Sequence, residues 1–385
     1  MIEHEFTGVI REVLESHLGP VAEEAFERSD LLQYINLKSR SASRGSKSRG
    51  SFANHYALYV LIEDYLAGDF DGPNDYAKYD GARFTDLFHR QRELPFGERL
   101  QNHALNSRLN EEFRKYFPTS EFVPILRDLA TSRYWINEQL LRVTTSQGEV
   151  NIATAVISII DAYIESKRDS FSAFIEQCER LQALGQDDVA EVIEFLLRLL
   201  DPNVDARIFE IVSFSILKSF YAEQSVWFGW TIDEVSEHAL ILFKTGRTNA
   251  NDGGIDFVMQ PVGRFFQVTE SLDMRRYFLD IDKVQRFPIT FVVKSEESAE
   301  QIRARLADYA RKIYTAGAIV ARSMEAVEEV INIPDLRARL EEVAATGNAA
   351  TVVNEVALQA KVEFNFGDED SADDPLEESA PGIDH

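Results

Sequence analysis

At 385 residues the chain is too long for one compact core, and 45% hydrophobic content with 26 Phe and 13 Tyr supplies the apolar surface for two. A formal charge of −25 sets the molecular field against phosphate and argues against a protein that coats nucleic acid unselectively. The single cysteine, Cys178, excludes a disulfide framework and a cysteine-ligated zinc site.

Apolar residues recur at helical spacing from Val9 to Gln33, broken at Gly19-Pro20, with a cap or turn at Ser29-Asp30. Lys38 to Gly50 is a sharp change of composition: Lys38, Arg40, Arg44, Lys47 and Arg49 stand among Ser, Gly and Ala, with no acid. Asn54 to Ala67 returns to an apolar helix, and Gly68 to Gly81 reads as a loop. Leu100 to Phe117 predicts a polar-faced helix. Ile152 to Leu200 predicts two or three long helices ending at Asp201-Pro202, with Cys178 as a buried small hydrophobe. The first half is therefore expected to be mainly helical. Beyond Arg207 a helix through Tyr221 and a second over Thr231 to Lys244 lead into strands at Ile255–Met259, Arg264–Thr269 and Ile289–Val293. Ser298 caps a helix through Tyr314, and helical segments continue to about Val343. The last nineteen residues, from Gly367, hold eight Asp or Glu and no Lys or Arg, so about a third of the excess charge sits in a tail expected to be disordered. No run approaches the roughly 18 apolar residues of a membrane span. The acidic Met-Ile-Glu-His-Glu-Phe start lacks a signal-peptide pattern. A soluble cytoplasmic protein with no membrane partner is the expectation.

The stretch richest in chemistry is Asp233-Glu234-Val235-Ser236-Glu237 through Lys244, then Asp252-Gly253-Gly254-Ile255-Asp256, then Arg264-Phe265-Phe266-Gln267-Val268-Thr269-Glu270. Asp256 opens a strand that turns at Pro261-Val262-Gly263, which brings Gln267 and Thr269 back beside it on one strand face. A carboxylate from the preceding helix, Glu234 or Glu237, would complete an oxygen site for Mg²⁺, the hard cation that phosphodiester hydrolysis uses to polarise the phosphoryl oxygen. The plain alternative is a hairpin turn in which Asp256 only caps.

This pattern resembles the core of the PD-(D/E)XK nucleases, whose order is helix, three strands, helix, strand. The Gly-Gly-Ile-Asp…Gln form is most similar to their Mrr-like branch. The resemblance covers about Thr231 to Tyr314, and it implies Asp256 and Glu237 or Glu234 as metal ligands, with Gln267 at the second-strand acidic position. Where the family has lysine this chain has Thr269, which can donate a hydrogen bond but carries no charge; Lys244, Arg264 or Lys294 would have to replace it.

The run Ser-Arg-Gly-Ser-x-Ser-Arg-Gly-Ser-Phe-x-Asn-His-Tyr followed by such a domain looks like type II restriction endonucleases, the ApaLI-like family among them. That implies sequence-specific, metal-dependent double-strand cutting of DNA, a homodimer matched to a palindromic site, and a cognate DNA methyltransferase as functional partner. The expected division is a helical recognition region over 1–205, a nuclease domain over 206–345 and an acidic tail over 367–385. For DNA contact the basic run Lys38 to Arg49 would lie along phosphates. Arg99, Asn102 and Asn106, three and four residues apart on one helix, would read base edges. Two other readings stand beside this one: a nuclease-fold DNA-binding subunit without chemistry, favoured by Thr269, and a helical interaction protein, favoured by the acidic charge. Absence of a G-x-x-x-x-G-K-[ST] loop argues against a motor subunit.

Overall fold

The computed structural model describes residues 3–40, 48–72, 76–98, 100–184, 189–245, 255–284 and 287–364. They form a mixed α+β structure in two compact units, 1–174 and 175–385. The division falls inside one long helix rather than at 205/206, which places 175–205 with the second unit. The acidic tail lies outside the described residues. Among the described residues no helix is long and apolar enough to cross a membrane.

The first unit opens with α1 (Glu5–Leu18), α2 (Ala22–Arg28) and α3 (Asp30–Ser39). The interruption follows from Gly19 at φ 57 and the Pro20 turn, and Ser29 caps α3 by accepting from the Leu32 amide at 3.2 Å. Next comes α4 (Ser48–Ala67), apolar on most sides because α3, α5 (Phe84–Glu93) and a short sheet all pack on it. Residues 48–50 of the basic run thus belong to a helix.

That sheet has the order β1 (Ala82–Arg83), β3 (Arg133–Ile136), β2 (Ile125–Asp128). Between its strands a π-helical turn, Ala104–Arg108, runs into α6 (Leu109–Tyr116). A hairpin of β4 (Arg142–Thr145) and β5 (Gly148–Asn151) leads to α7 (Ala153–Leu184). The unit is mainly helical, as expected, and these strands are additions to it: none exceeds four residues, too few for alternation to stand out from loop sequence.

Under α4 lies a buried polar cluster. Glu112 accepts from Lys38 Nζ at 2.7 Å and from Asn54 Nδ2 at 2.9 Å, and His55 Nε2 meets Ser39 Oγ at 3.1 Å. Burial, aided by the Lys38 charge, pushes the His55 imidazole down to about 3. The unfolded chain protonates this group near pH ~6.5. The neutral ring therefore contributes its full stability above about pH 6.5, and that is lost as pH falls from there toward 3, by up to about 1.4 kcal/mol per pH unit. Urea midpoints measured from about pH 7 to 4.5 should fall with this slope in the native chain. In His55→Gln the part due to one proton should vanish; an unchanged slope would assign the acid sensitivity elsewhere.

The second unit contains α8 (Val189–Arg198), α9 (Ala206–Ala222), a separate hairpin of β6 (Ser225–Phe228) and β7 (Ser236–Ala239), and then β8 (Ile241–Lys244). The helix expected over Thr231 to Lys244 is therefore absent. Ile232, Val235, Ala239 and Leu242 imitate a helical stripe, but the residues are spent on two strands joined at Leu240. There follow β9 (Phe257–Gln260), β10 (Arg264–Thr269), α10 (Met274–Lys283), β11 (Ile289–Val293), α11 (Ala299–Ile313), α12 (Gly317–Ala326), β12 (Val327–Ile331), α13 (Ile333–Ala345) and α14 (Ala349–Phe364).

The five-stranded sheet has the order β12-β11-β10-β9-β8. Strands β8, β9 and β10 form an antiparallel meander, and β10, β11 and β12 run parallel. The turn at Pro261-Val262-Gly263 closes with Gly263 at φ 68, a backbone region glycine enters without penalty. Helix α9 covers one face, with Phe214 5.1 Å from Phe257 and Tyr221 6.0 Å from Phe266 between ring centroids. Helices α10 and α11 cover the other, where Tyr277 lies 4.6 Å from Phe291. With both faces covered, all of β11 is buried, which explains its unbroken Ile-Thr-Phe-Val-Val sequence. The cap expected at Ser298 is present, and the structure completes it as a capping box with Gln301.

Candidate active site

The meander and the first parallel strand end side by side, and the expected chemistry gathers there. The Asp256 amide donates to the Phe266 carbonyl at 3.0 Å, although Phe257 is the residue registered opposite Phe266. Two successive residues thus address one partner, the geometry of a β-bulge, which turns the Asp256 carboxylate toward the open edge of β10. Its Oδ2 accepts the Val268 amide at 2.6 Å and Gln267 Nε2 at 2.8 Å. Since a carboxylate only accepts, the Gln267 amide must point its nitrogen there, and its Oε1 is left buried without a hydrogen-bond partner.

Thr269, two residues on, accepts the Ser271 amide at 3.1 Å through its hydroxyl and bonds the Lys294 amide at 2.9 Å through its carbonyl. Lys294 is almost wholly buried; its Nζ pairs with Glu270 at 2.5 Å and also donates to the Val204 carbonyl. On the other side, the Thr245 amide donates to the Asp256 carbonyl at 3.1 Å, so Lys244 sits one residue from that contact. Lys244 pairs with Glu210 of α9 at 3.2 Å, both mostly buried.

The structure brings Asp256 and Gln267 together, with Thr269 two residues further along β10; Lys244 turns instead to Glu210, and the expected helix carboxylates are elsewhere. Glu234 stands in an exposed 3-10 turn, and Glu237 lies exposed on β7, where it accepts from Ser225 Oγ at 2.5 Å. Strand β7 pairs only with β6, apart from the sheet that carries Asp256. The carboxylate that a preceding helix does bring to the sheet is Glu210. A sequence signal for it existed: a lone acid inside Ile-Phe-Glu-Ile-Val-Ser-Phe must be buried, and a buried acid needs a partner. Arg264 is excluded as a stand-in lysine because it sits at the opposite end of β10, held by Thr290, Glu328 and Glu329.

Among the described residues no three His, Cys, Asp or Glu gather at ligating distance. Mg²⁺ needs no such cluster, since it is held by one or two carboxylates and keeps several waters. The Asp256 carboxylate fits that demand; Gln267 turns its nitrogen to that carboxylate, and its buried Oε1 would have to be uncovered to join it.

The DNA-contact candidates are scattered. Arg44, Lys47 and Arg99 lie outside the described residues, as does the side chain of Arg49. Lys38 is committed to Glu112, Arg40 is exposed at the end of α3, and Asn102 is half-buried in a turn. Asn106 is exposed, but its side-chain and main-chain oxygens both accept from Arg127 Nη1, at 3.1 and 2.6 Å. Cys178 is buried as expected, its thiol pushed up to about 12 by burial. No protein-family model, curated protein or solved structure matches the chain.

The Glu210–Lys244 pair predicts a non-additive double-mutant cycle. Glu210→Leu alone should destabilise by about 3–5 kcal/mol, because it strands a buried ammonium. Combined with Lys244→Met it should cost markedly less, as read from urea unfolding; additive losses would show that the two do not act as a pair.

Proposed function

We propose that the chain is a Mg²⁺-dependent endodeoxyribonuclease of the PD-(D/E)XK class that makes sequence-specific double-strand cuts, in the manner of a type II restriction endonuclease. The observation that carries this reading is the order α9, β8-β9-β10, α10, β11, helix, three antiparallel strands, helix and parallel strand, with Asp256 and Gln267 side by side where the strands end. Strand ends are also where open α/β sheets place their ligands. In this reading Asp256 and Gln267 hold the cation, which supplies charge to the scissile phosphate and acidifies a bound water. Thr269 and its neighbours line the approach, and Lys294 or Lys244 stands in for the lysine that Thr269 replaces. The first unit would carry sequence recognition, and a homodimer would match a palindromic site. A cytoplasmic setting beside a cognate methyltransferase completes the role.

A second reading, a DNA-binding subunit without chemistry, is favoured by the same contacts. Asp256 is occupied by Val268 and Gln267, and each nearby lysine is already neutralised by a carboxylate.

Plasmid and phage DNA incubated with Mg²⁺ should give discrete bands that EDTA abolishes. Asp256→Asn keeps an oxygen for the Val268 amide while removing the charge. It should lose cutting by at least about 100-fold and retain binding in a gel shift. Preserved cutting would sink the assignment of Asp256; specific binding without cutting in Mg²⁺ or Mn²⁺ would select the second reading.

A further inference from the structure

Strand β7 of the β6–β7 hairpin is exposed throughout, and in β6 only Val226 and Phe228 are half-buried. Trp230 and Ile232 at its tip are 88% and 92% exposed, and Trp227 is 73% exposed. A two-stranded hairpin alone in water is marginal, and a soluble chain does not spend two tryptophans on solvent without a partner surface. The turn is nevertheless well defined: a Cβ on Gly229 would meet the Glu234 and Val235 backbone at 2.7 Å, so only glycine admits this close return. The tip carries Asp233 and Glu234 and no cation, which excludes phosphate backbones and anionic lipid as its target.

A complementary surface lies on the same unit. Helices α11 and α12 border an open groove of about 820 Å³, with Ala304, Ala307, Val320 and Met324 among its apolar lining and Glu300, Arg303 and Arg311 among its polar groups. The apolar floor matches the tip in polarity; the rim carries Arg303 and Arg311 against one acid, Glu300, and Arg311 would exchange its exposed partner Asp308 for the acidic tip. Each tryptophan buries about 150–250 Å² on contact, and a two-fold exchange of arms doubles the sum. Together with the surface covered on the groove side, this reaches the roughly 1,200 Å² that a stable interface needs.

We propose that two copies of this chain associate by exchanging arms, the Trp230–Ile232 tip of one seated in the α11–α12 groove of the other. The inference stands on the surface of the second unit and is independent of whether the chain cuts DNA.

Sedimentation equilibrium of the full chain over a concentration series tests it. The native protein should dimerise, and Trp230→Ala with Ile232→Ala should weaken association by about 30-fold or more. Arg311→Glu should also weaken it, and adding Glu234→Arg to Arg311→Glu should restore part of the loss. Both sites are on the surface, so circular dichroism should remain native. A native chain that stays monomeric throughout overturns the proposal and leaves the arm to another protein. A dimer indifferent to the tip variant overturns it as well, and a dimer sensitive to the tip but not to Arg311 removes the groove as the seat.

Discussion

Strand β10 has more backbone to satisfy on one side than its neighbour can supply. It pairs with β11 over five residues, Phe265 to Thr269, but with β9 only over Arg264 to Phe266. Beyond Phe266 its free edge presents the Val268 amide, and an unpaired buried amide costs about 1–3 kcal/mol. The Asp256 carboxylate answers that demand, and the bulge that lets it do so sets everything around it. Because Oδ2 is shared with Gln267 Nε2, the glutamine cannot flip, and its one oxygen, Oε1, is held in place. A backbone requirement and a pair of oxygen donors thus share one origin, so stability and chemistry at this point cannot be varied independently.

The position also depends on what covers the sheet. Aromatic contacts from α9 and from α10 clamp opposite faces, and they fix the height at which the strands end. Helix α9 does two things at once: its Phe214 and Tyr221 seal one face while Glu210 faces Lys244 on the edge strand. A charge inside an apolar helix is tolerable only because its partner strand brings a cation to the same depth.

Much of this arrangement was legible from residues alone. Strands β10 and β11 were bounded correctly because a Pro-Val-Gly turn and Pro288 frame them, and α11 because Ser298 and Gln301 form a box that sequence displays directly. Gln267 beside Asp256 was legible from strand alternation across a tight turn. The failures share a cause. Between Thr231 and Lys244 the apolar spacing satisfies a helix as well as two strands, and only tertiary pairing decides. Moving that segment from helix to hairpin carried Glu234 and Glu237 away from the site and hid the claim of Glu210, which had looked like one acid in a core helix. The first unit's strands and β12 were missed because each is short and interrupted by charge.

On the proposed nuclease reading, the absence of lysine at position 269 can be weighed through the partners of its two neighbours. Lys244 and Lys294 are both held by carboxylates, so neither is a free cation, and each serves a phosphate only if its carboxylate has somewhere else to go. Glu210 is 8% exposed; pulled from Lys244 it would remain a buried charge with no access to water, a loss of several kcal/mol. Glu270 is 39% exposed and can turn into solvent, but Lys294 is 3% exposed, so the carboxylate can leave only as a phosphate takes its place beside the buried ammonium. Lys294 would also keep its Val204 carbonyl contact while changing its charged partner, which holds the ammonium in place. The two lysines therefore divide the work: Lys244 belongs to the structure that joins α9 to the edge strand, and Lys294, whose own amide is bonded to Thr269, is the cation able to exchange a carboxylate for a phosphate.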